Sequence, residues 1–72
     1  MSGEVEKLKV LATNKRLNSW EREKATQTLA DIDSKEAALA LLDIANDDGL
    51  HSWEREFALS KAREIIKSKA AS

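Results

Sequence analysis

The chain has 72 residues, with twelve basic and thirteen acidic side chains and neither cysteine nor proline. This near balance of charge gives none of the positive field of a dedicated nucleic-acid-binding protein. The lack of cysteine excludes disulfides and thiolate metal sites. No stretch approaches the roughly 18 apolar residues of a membrane span, and the amino-terminal residues lack the basic and apolar segments of a secretory signal. We therefore expect one small cytoplasmic domain, residues 1–72, with no membrane association.

Apolar residues recur at spacings of three and four, which predicts helix for nearly the whole chain. The first helix is expected over residues 4–13, with Leu11 on its buried stripe. The second is expected over residues 19–33, with Ser19 as its N-cap and Ile32 on its buried stripe. Together these two helices form the first antiparallel hairpin.

The second half of the chain predicts another hairpin. Asp33 is followed three residues later by a glutamate, a capping-box pattern that predicts a very short turn and a third helix over residues 35–46. This helix is the most apolar segment and is expected to be the most buried. Gly49 follows its end, where a positive φ would help to terminate it. Ser52 is the expected N-cap of a fourth helix over residues 52–68.

The five-residue motif Ser-Trp-Glu-Arg-Glu, which we call the repeated word, occurs at residues 19–23 and again at residues 52–56, which is 33 positions later. The same offset aligns Leu8 with Leu41, Leu11 with Ile44, Ala12 with Ala45, Leu17 with Leu50, Ala25 with Ala58 and Ile32 with Ile65. The duplicated unit is a helical hairpin, residues 4–33 and 35–68. One hairpin leaves part of its apolar surface uncovered, so the two are expected to stack around one core. The sequence thus predicts an all-α fold of four helices in two stacked antiparallel hairpins, as an open repeat pair or a compact four-helix bundle.

Each unit carries an arginine in the first turn of its second helix, with small or apolar residues three, seven and ten positions later. These residues are Arg22, Ala25, Leu29 and Ile32 in the first unit and Arg55, Ala58, Ala62 and Ile65 in the second. The pattern resembles HEAT-type repeats, especially the short bacterial and archaeal kind of the phycobilisome lyase proteins. The chain departs from that family at Glu21 and Glu54, where valine is usual. The resemblance implies a protein-binding scaffold, with a ladder of ion pairs between repeats formed by Asp47 and Asp48 with Arg22 and Arg55.

Both tryptophans lie in the repeated word, and each falls to one side of the apolar stripe on a helical wheel. Phe57 shares that side with Trp53, whereas Lys24 takes the equivalent place beside Trp20. Two interpretations are open. The tryptophans cover the hairpin ends and pack on the preceding helix, or Trp20, Trp53 and Phe57 form an exposed surface for a protein partner or a second copy of the chain.

The remaining polar residues predict neither an enzyme nor a cofactor. His51 is the single histidine and has no evident nucleophile or acid to act with. The acidic segment at residues 43–49 resembles a calcium loop, but it lacks ligands at the required positions, so we expect no metal site. The alternative function is association with nucleic acid through a basic end, which would be formed by Lys15, Arg16, Arg63, Lys67 and Lys69.

Overall fold

The computed structural model describes residues 2–71, so Met1 and Ser72 of the predicted domain lie outside the described residues. Its four α-helices are α1 (Ser2–Ala12), α2 (Ser19–Ile32), α3 (Lys35–Ala45) and α4 (Ser52–Ala71). Residues 2–71 contain no strand, which confirms the predicted all-α class. The bounds agree with the predicted ones to within three residues, and the largest difference is the longer carboxyl end of α4.

The helices form two antiparallel hairpins that stack in two layers. α1 packs on α2 and α3 packs on α4, which makes the hairpins. α1 also contacts α3, and α2 contacts both α3 and α4. Over residues 2–71, α1 and α4 do not approach each other. In an up-and-down four-helix bundle the first and last helices are neighbours. Here α1 and α3 form one layer, and α2 and α4 form the other.

The core lies between the layers and consists mainly of small residues. Leu29, Leu41 and Ile44 are the largest fully buried side chains. Alanines fill the space where helices cross, which allows the helix axes to approach closely. The buried alanines are Ala12, Ala25, Ala37, Ala38, Ala40, Ala58 and Ala62. α3 supplies more of the buried residues than any other helix, as its apolar sequence predicts.

Two residues that were predicted to be buried are exposed. Leu11 in α1 and Ile32 in α2 retain 44% and 38% of their accessible surface. Their equivalents in the second unit, Ile44 and Ile65, retain only 1% and 4%. The two hairpins provide similar internal surroundings at these positions, so the difference comes from stacking. The first hairpin covers this face of the second hairpin, whereas no hairpin covers the equivalent face of the first.

Asn18, and not the predicted Ser19, is the N-cap of α2. The Asn18 carbonyl oxygen accepts the backbone N–H groups of Glu21 and Arg22, each at 3.0 Å. The Asn18 N–H in turn donates to Glu21 Oε1 at 2.9 Å. This bond is the glutamate half of a capping box, and it also places an acid in the first turn, where the helix dipole favours one.

α4 begins in the same way, with its N-cap one residue earlier than predicted. The His51 carbonyl oxygen accepts the N–H groups of Glu54 and Arg55 at 3.0 and 3.1 Å, and the His51 N–H donates to Glu54 Oε1 at 3.1 Å. Ser52, predicted as the N-cap, is the first helical residue. The two hairpins therefore start their second helices with the same geometry, and the third helical residue is a glutamate in both.

A two-residue connection, Asp33 and Ser34, joins the hairpins, as short as predicted. Asp33 ends α2 in the left-handed region, with φ 55° and ψ 43°, so it is not the N-cap of α3. That position belongs to Ser34, whose Oγ accepts the Ala37 N–H at 3.0 Å. The positive φ predicted for Gly49 is wrong. The Gly49 N–H instead donates to Asp47 Oδ1 at 2.9 Å, and this side-chain bond stabilises the turn after α3.

Candidate interaction surfaces

A buried ion pair joins the two hairpins. Arg22 in α2 donates from Nε to Glu54 Oε2 at 2.6 Å and from Nη2 to Glu54 Oε1 at 3.0 Å. Arg22 and Glu54 retain only 7% and 5% of their accessible surface. Two parallel hydrogen bonds between a guanidinium and a carboxylate make a bidentate ion pair, which is stronger and more specific in orientation than a pair with one hydrogen bond. The pair therefore fixes how α2 and α4 lie against each other.

The remaining polar atoms of this pair are also hydrogen-bonded. Arg22 Nη1 donates to the carbonyl oxygens of Leu17 at 2.6 Å and Asn14 at 3.3 Å. Glu54 Oε1 accepts the His51 N–H described above. Within residues 2–71, no buried side-chain nitrogen or oxygen lacks a partner. A fully satisfied network of this kind makes a rigid junction.

The electrostatics of the pair keep both groups charged at neutral pH. Burial would raise the pKa of Glu54, but the hydrogen bonds from Arg22 and from the His51 backbone outweigh burial and hold that pKa below its ordinary value. The hydrogen bond to Glu54 raises the pKa of Arg22, against the opposing effect of burial. Neither group is placed for acid–base chemistry, and each already has its counter-ion, so the site is a structural junction.

The ladder of aspartates and arginines implied by the HEAT resemblance is not formed by direct ion pairs within residues 2–71, although the charge of Asp47 contributes to raising the pKa of Arg22. Asp47 pairs with Lys15 at 2.6 Å, and this hydrogen bond lowers the pKa of Asp47 against the effect of burial. Asp48 is exposed in the loop. Arg55 makes a long bond of 3.4 Å from Nε to the Ala45 carbonyl oxygen, and it has no acidic partner within residues 2–71.

Glu54 takes the role that was expected of the aspartates. It lies in the first turn of α4, beside the first turn of α2 that carries Arg22, whereas Asp47 and Asp48 lie in the preceding loop. Glu54 was not predicted as a partner of Arg22. The signal was present, because both units carry glutamate immediately before the arginine, at the position where the HEAT family usually has valine.

Three ion pairs cross between the hairpins in the same direction. Lys9 pairs with Asp43 at 3.2 Å, Lys15 with Asp47 at 2.6 Å, and Arg22 with Glu54. In each of them the first hairpin supplies the cation and the second supplies the acid. The hydrogen bond to Asp43 raises the pKa of Lys9, and the charge of the nearby Glu6 adds to this effect. The two exposed pairs contribute little stability individually, but all three share one polarity, and within residues 2–71 only the pair of Lys69 with Asp33, at 3.7 Å, has the opposite one.

The tryptophans lie on the surface of the layer formed by α2 and α4. Trp20 and Trp53 retain 53% and 45% of their accessible surface, and Phe57 is half-buried. Lys24 Nζ lies 4.8 Å from the centre of the Trp20 ring, and Lys61 Nζ lies 5.5 Å from that of Phe57. Because the tryptophans hold equivalent positions in neighbouring helices, they face the same side. We call Trp20, Trp53 and Phe57 the aromatic surface.

The basic residues proposed for nucleic-acid association do not form one end of the molecule. Lys15 is bound to Asp47, in the loop that leads into the start of α4. Lys67 and Lys69 lie in the last turns of that 20-residue helix, which is about 30 Å long. Lys69 is also paired with Asp33 at 3.7 Å. The two groups of basic residues are therefore at opposite ends of α4.

His51 is exposed before α4. Residues 2–71 contain no cluster of three or more histidine or acidic side chains that could hold a metal ion. In the same part of the chain, no helix combines the length and apolar character required to cross a membrane. Comparisons of the chain with protein-family models, curated proteins and solved structures find no match.

Proposed function

We propose that the protein is a noncatalytic, cytoplasmic binding module of HEAT-like helical repeats that binds a protein partner through its aromatic surface. One observation carries this proposal, namely two half-exposed tryptophans at equivalent positions of adjacent helices. Indole rings provide a large contact area with few rotatable bonds, and tryptophan is enriched among the residues that dominate binding energy. Keeping two such rings exposed in a chain this small is costly for solubility unless they are covered in a complex.

The Trp53 half of the aromatic surface is the stronger anchor. Trp53 and Phe57 are four residues apart in α4, so their rings form one apolar strip along the helix. In α2 the equivalent strip contains Lys24 in place of the phenylalanine. The ammonium groups of Lys24 and Lys61 lie over the rings and bring positive charge to the edge of the surface. We therefore favour a ligand segment with an apolar side chain beside an acidic one.

A displayed random-peptide library provides a test that needs no known partner. Peptides enriched on the wild-type protein are measured against Trp53→Ala and against Leu39→Ala, a matched control that removes an exposed apolar side chain from the other layer. We expect Trp53→Ala to weaken binding by roughly 30-fold or more, as loss of a dominant contact of about 2 kcal/mol requires. Leu39→Ala is expected to leave affinity unchanged.

The fold of both variants is checked by circular dichroism and by heteronuclear NMR. If Trp53→Ala keeps the wild-type spectrum and binds every selected peptide with wild-type affinity, the aromatic surface is not the binding site. If the enriched peptides are equally weakened by Leu39→Ala, binding is nonspecific and the proposal is also lost.

A further inference from the structure

The junction between the two hairpins has a second, uncovered copy on the second hairpin. On the first hairpin, the side that meets the second contains Arg22 and Thr26, both buried. Their equivalents 33 residues later are Arg55, which is half-buried, and Leu59, which is exposed. Ala12 is similarly buried, whereas its equivalent Ala45 is half-buried. We call Ala45, Arg55 and Leu59 the exit face.

The first hairpin carries the matching half of the same junction. On the second hairpin, Ile44, Glu54 and Ile65 are all buried. Their equivalents in the first hairpin are less covered: Glu21 is half-buried, and Leu11 and Ile32 are exposed. We call Leu11, Glu21 and Ile32 the entry face. The molecule therefore presents the two complementary halves of one interface at its opposite ends.

The contacts of the internal junction can be transferred to these faces by the repeat offset. Each of the three ion pairs whose cation lies in the first hairpin shifts by 33 residues, forward for the residue of the first hairpin and backward for that of the second. Each pair that results from these three is chemically compatible, with one cation facing an acid, one apolar pair, and one carboxylate facing an amide. The transferred pairs are Arg55 with Glu21, Leu42 with Val10, and Asp48 with Asn14. The pair of opposite polarity, Lys69 with Asp33, transfers to Glu36 with Ile66, which make no favourable contact.

We propose that copies of this protein associate head to tail, with the exit face of one copy on the entry face of the next. Arg55 of one copy makes the bidentate pair with Glu21 of its neighbour, as Arg22 does with Glu54 within the chain. Glu21 can serve this purpose while it caps α2, because Glu54 performs both tasks at the start of α4. The interface joins two different surfaces, so it leaves one of each free and can extend into a longer array.

The differences between the internal junction and the two end faces favour contact between separate molecules. The internal junction is held by the short connection at Asp33 and Ser34, whereas separate copies must offset the loss of translational and rotational freedom. The end faces are correspondingly more apolar. Leu59 stands in place of Thr26, and the transferred pair of Leu42 with Val10 stands in place of an exposed ion pair.

Two single variants, each blocking one face, test this arrangement. Leu59→Glu places a charge on the exit face, and Leu11→Glu places one on the entry face. By light scattering and sedimentation, we expect the average mass of the wild type to rise with concentration past that of a dimer. Each variant alone is expected to be monomeric. Their equimolar mixture is expected to give a 1:1 heterodimer and nothing larger, because one intact face of each kind remains.

The controls separate this proposal from binding through the aromatic surface. Trp53→Ala is expected to assemble like the wild type, since its indole belongs to neither end face. Circular dichroism verifies the fold, and if either glutamate variant is unfolded, Val10→Glu replaces Leu11→Glu and Arg55→Glu replaces Leu59→Glu. A wild type that is monomeric at about 1 mM overturns the proposal. So does a mixture of folded variants that forms no heterodimer, or folded single variants that still assemble.

Discussion

The junction between the hairpins makes a quantitative prediction about Arg22 and Glu54. Removing one partner of a buried ion pair leaves an uncompensated charge, which costs about 3–5 kcal/mol. A domain of this length has a free energy of unfolding of about 4–11 kcal/mol. We therefore expect Arg22→Met and Glu54→Gln each to remove a large part of the total stability. The double variant buries no charge and retains an acceptor for the His51 N–H. Its loss in free energy of unfolding is therefore expected to be markedly smaller than the sum of the losses of the two single variants.

Urea unfolding followed by far-ultraviolet circular dichroism measures this double-mutant cycle. We expect a coupling energy of at least about 2 kcal/mol, near the upper part of the range for residues in contact. The matched control is the cycle of Lys15→Met and Asp47→Asn, which removes a pair of the same 2.6 Å length at an exposed site. That control is expected to give a coupling of about 0–1 kcal/mol. If the two cycles give equal couplings, burial is not what makes the Arg22 pair important.

The single variant Arg22→Met also has a characteristic dependence on pH. Without Arg22, burial is the largest remaining influence on Glu54, ahead of the His51 backbone hydrogen bond that lowers its pKa, so we expect the pKa of Glu54 to be raised in the folded state of this variant. An acid whose folded pKa lies above its unfolded value stabilises the fold as pH falls. The stability of Arg22→Met relative to the Arg22→Met/Glu54→Gln variant is therefore expected to increase on acidification from neutral pH. A difference between these two variants that stays constant with pH would refute this account.

Three further predictions concern pH, the hairpin connection and the core. The pKa values of Glu54 and Asp47 are lowered in the folded state, so the stability that these two acids contribute is fully present above their unfolded values of about 4 and is lost as pH falls below them; urea midpoints measured across this range check the sign. Asp33→Gly is expected to raise the free energy of unfolding by about 0.5 kcal/mol, because glycine adopts the left-handed conformation of this residue at less cost; a lower urea midpoint would contradict it. Leu41→Ala removes a fully buried side chain and is expected to cost about 2–5 kcal/mol, which calorimetry would detect as a lowered or absent thermal transition; an unchanged transition would mean that Leu41 is not at the centre of the core.

The helices and their pairing could be predicted from sequence because the repeat offset and the apolar periodicity agree. The predicted N-caps of α2 and α4 were wrong by one residue, because the serine of the repeated word follows the capping residue in both units. The capping residues Asn18 and His51 differ in type and lie outside the repeated word, so the repeat pattern does not identify them as caps. Only the carbonyl bonds at each helix start identify which residue is the cap.

Exposure at the ends of the stack could not be read from periodicity. Leu11 and Ile32 lie on the same stripes as their equivalents Ile44 and Ile65, but burial depends on whether a neighbouring hairpin is present. Periodicity describes one helix at a time and contains no information about that neighbour. The exposure of Trp20 and Trp53 was likewise left open by the sequence, and the structure provides it.

The ion pair between the hairpins has a consequence for the rates of folding and unfolding. Arg22 and Glu54 are 32 positions apart along the chain, whereas each hairpin is built from contacts between neighbouring helices, which form quickly. The pair can close only when two formed hairpins dock, so we expect it to be absent from the rate-limiting transition state. Interactions of that kind mainly slow unfolding. The lifetime of the native state, rather than the speed at which the chain reaches it, is then set in large part by this one guanidinium and its carboxylate.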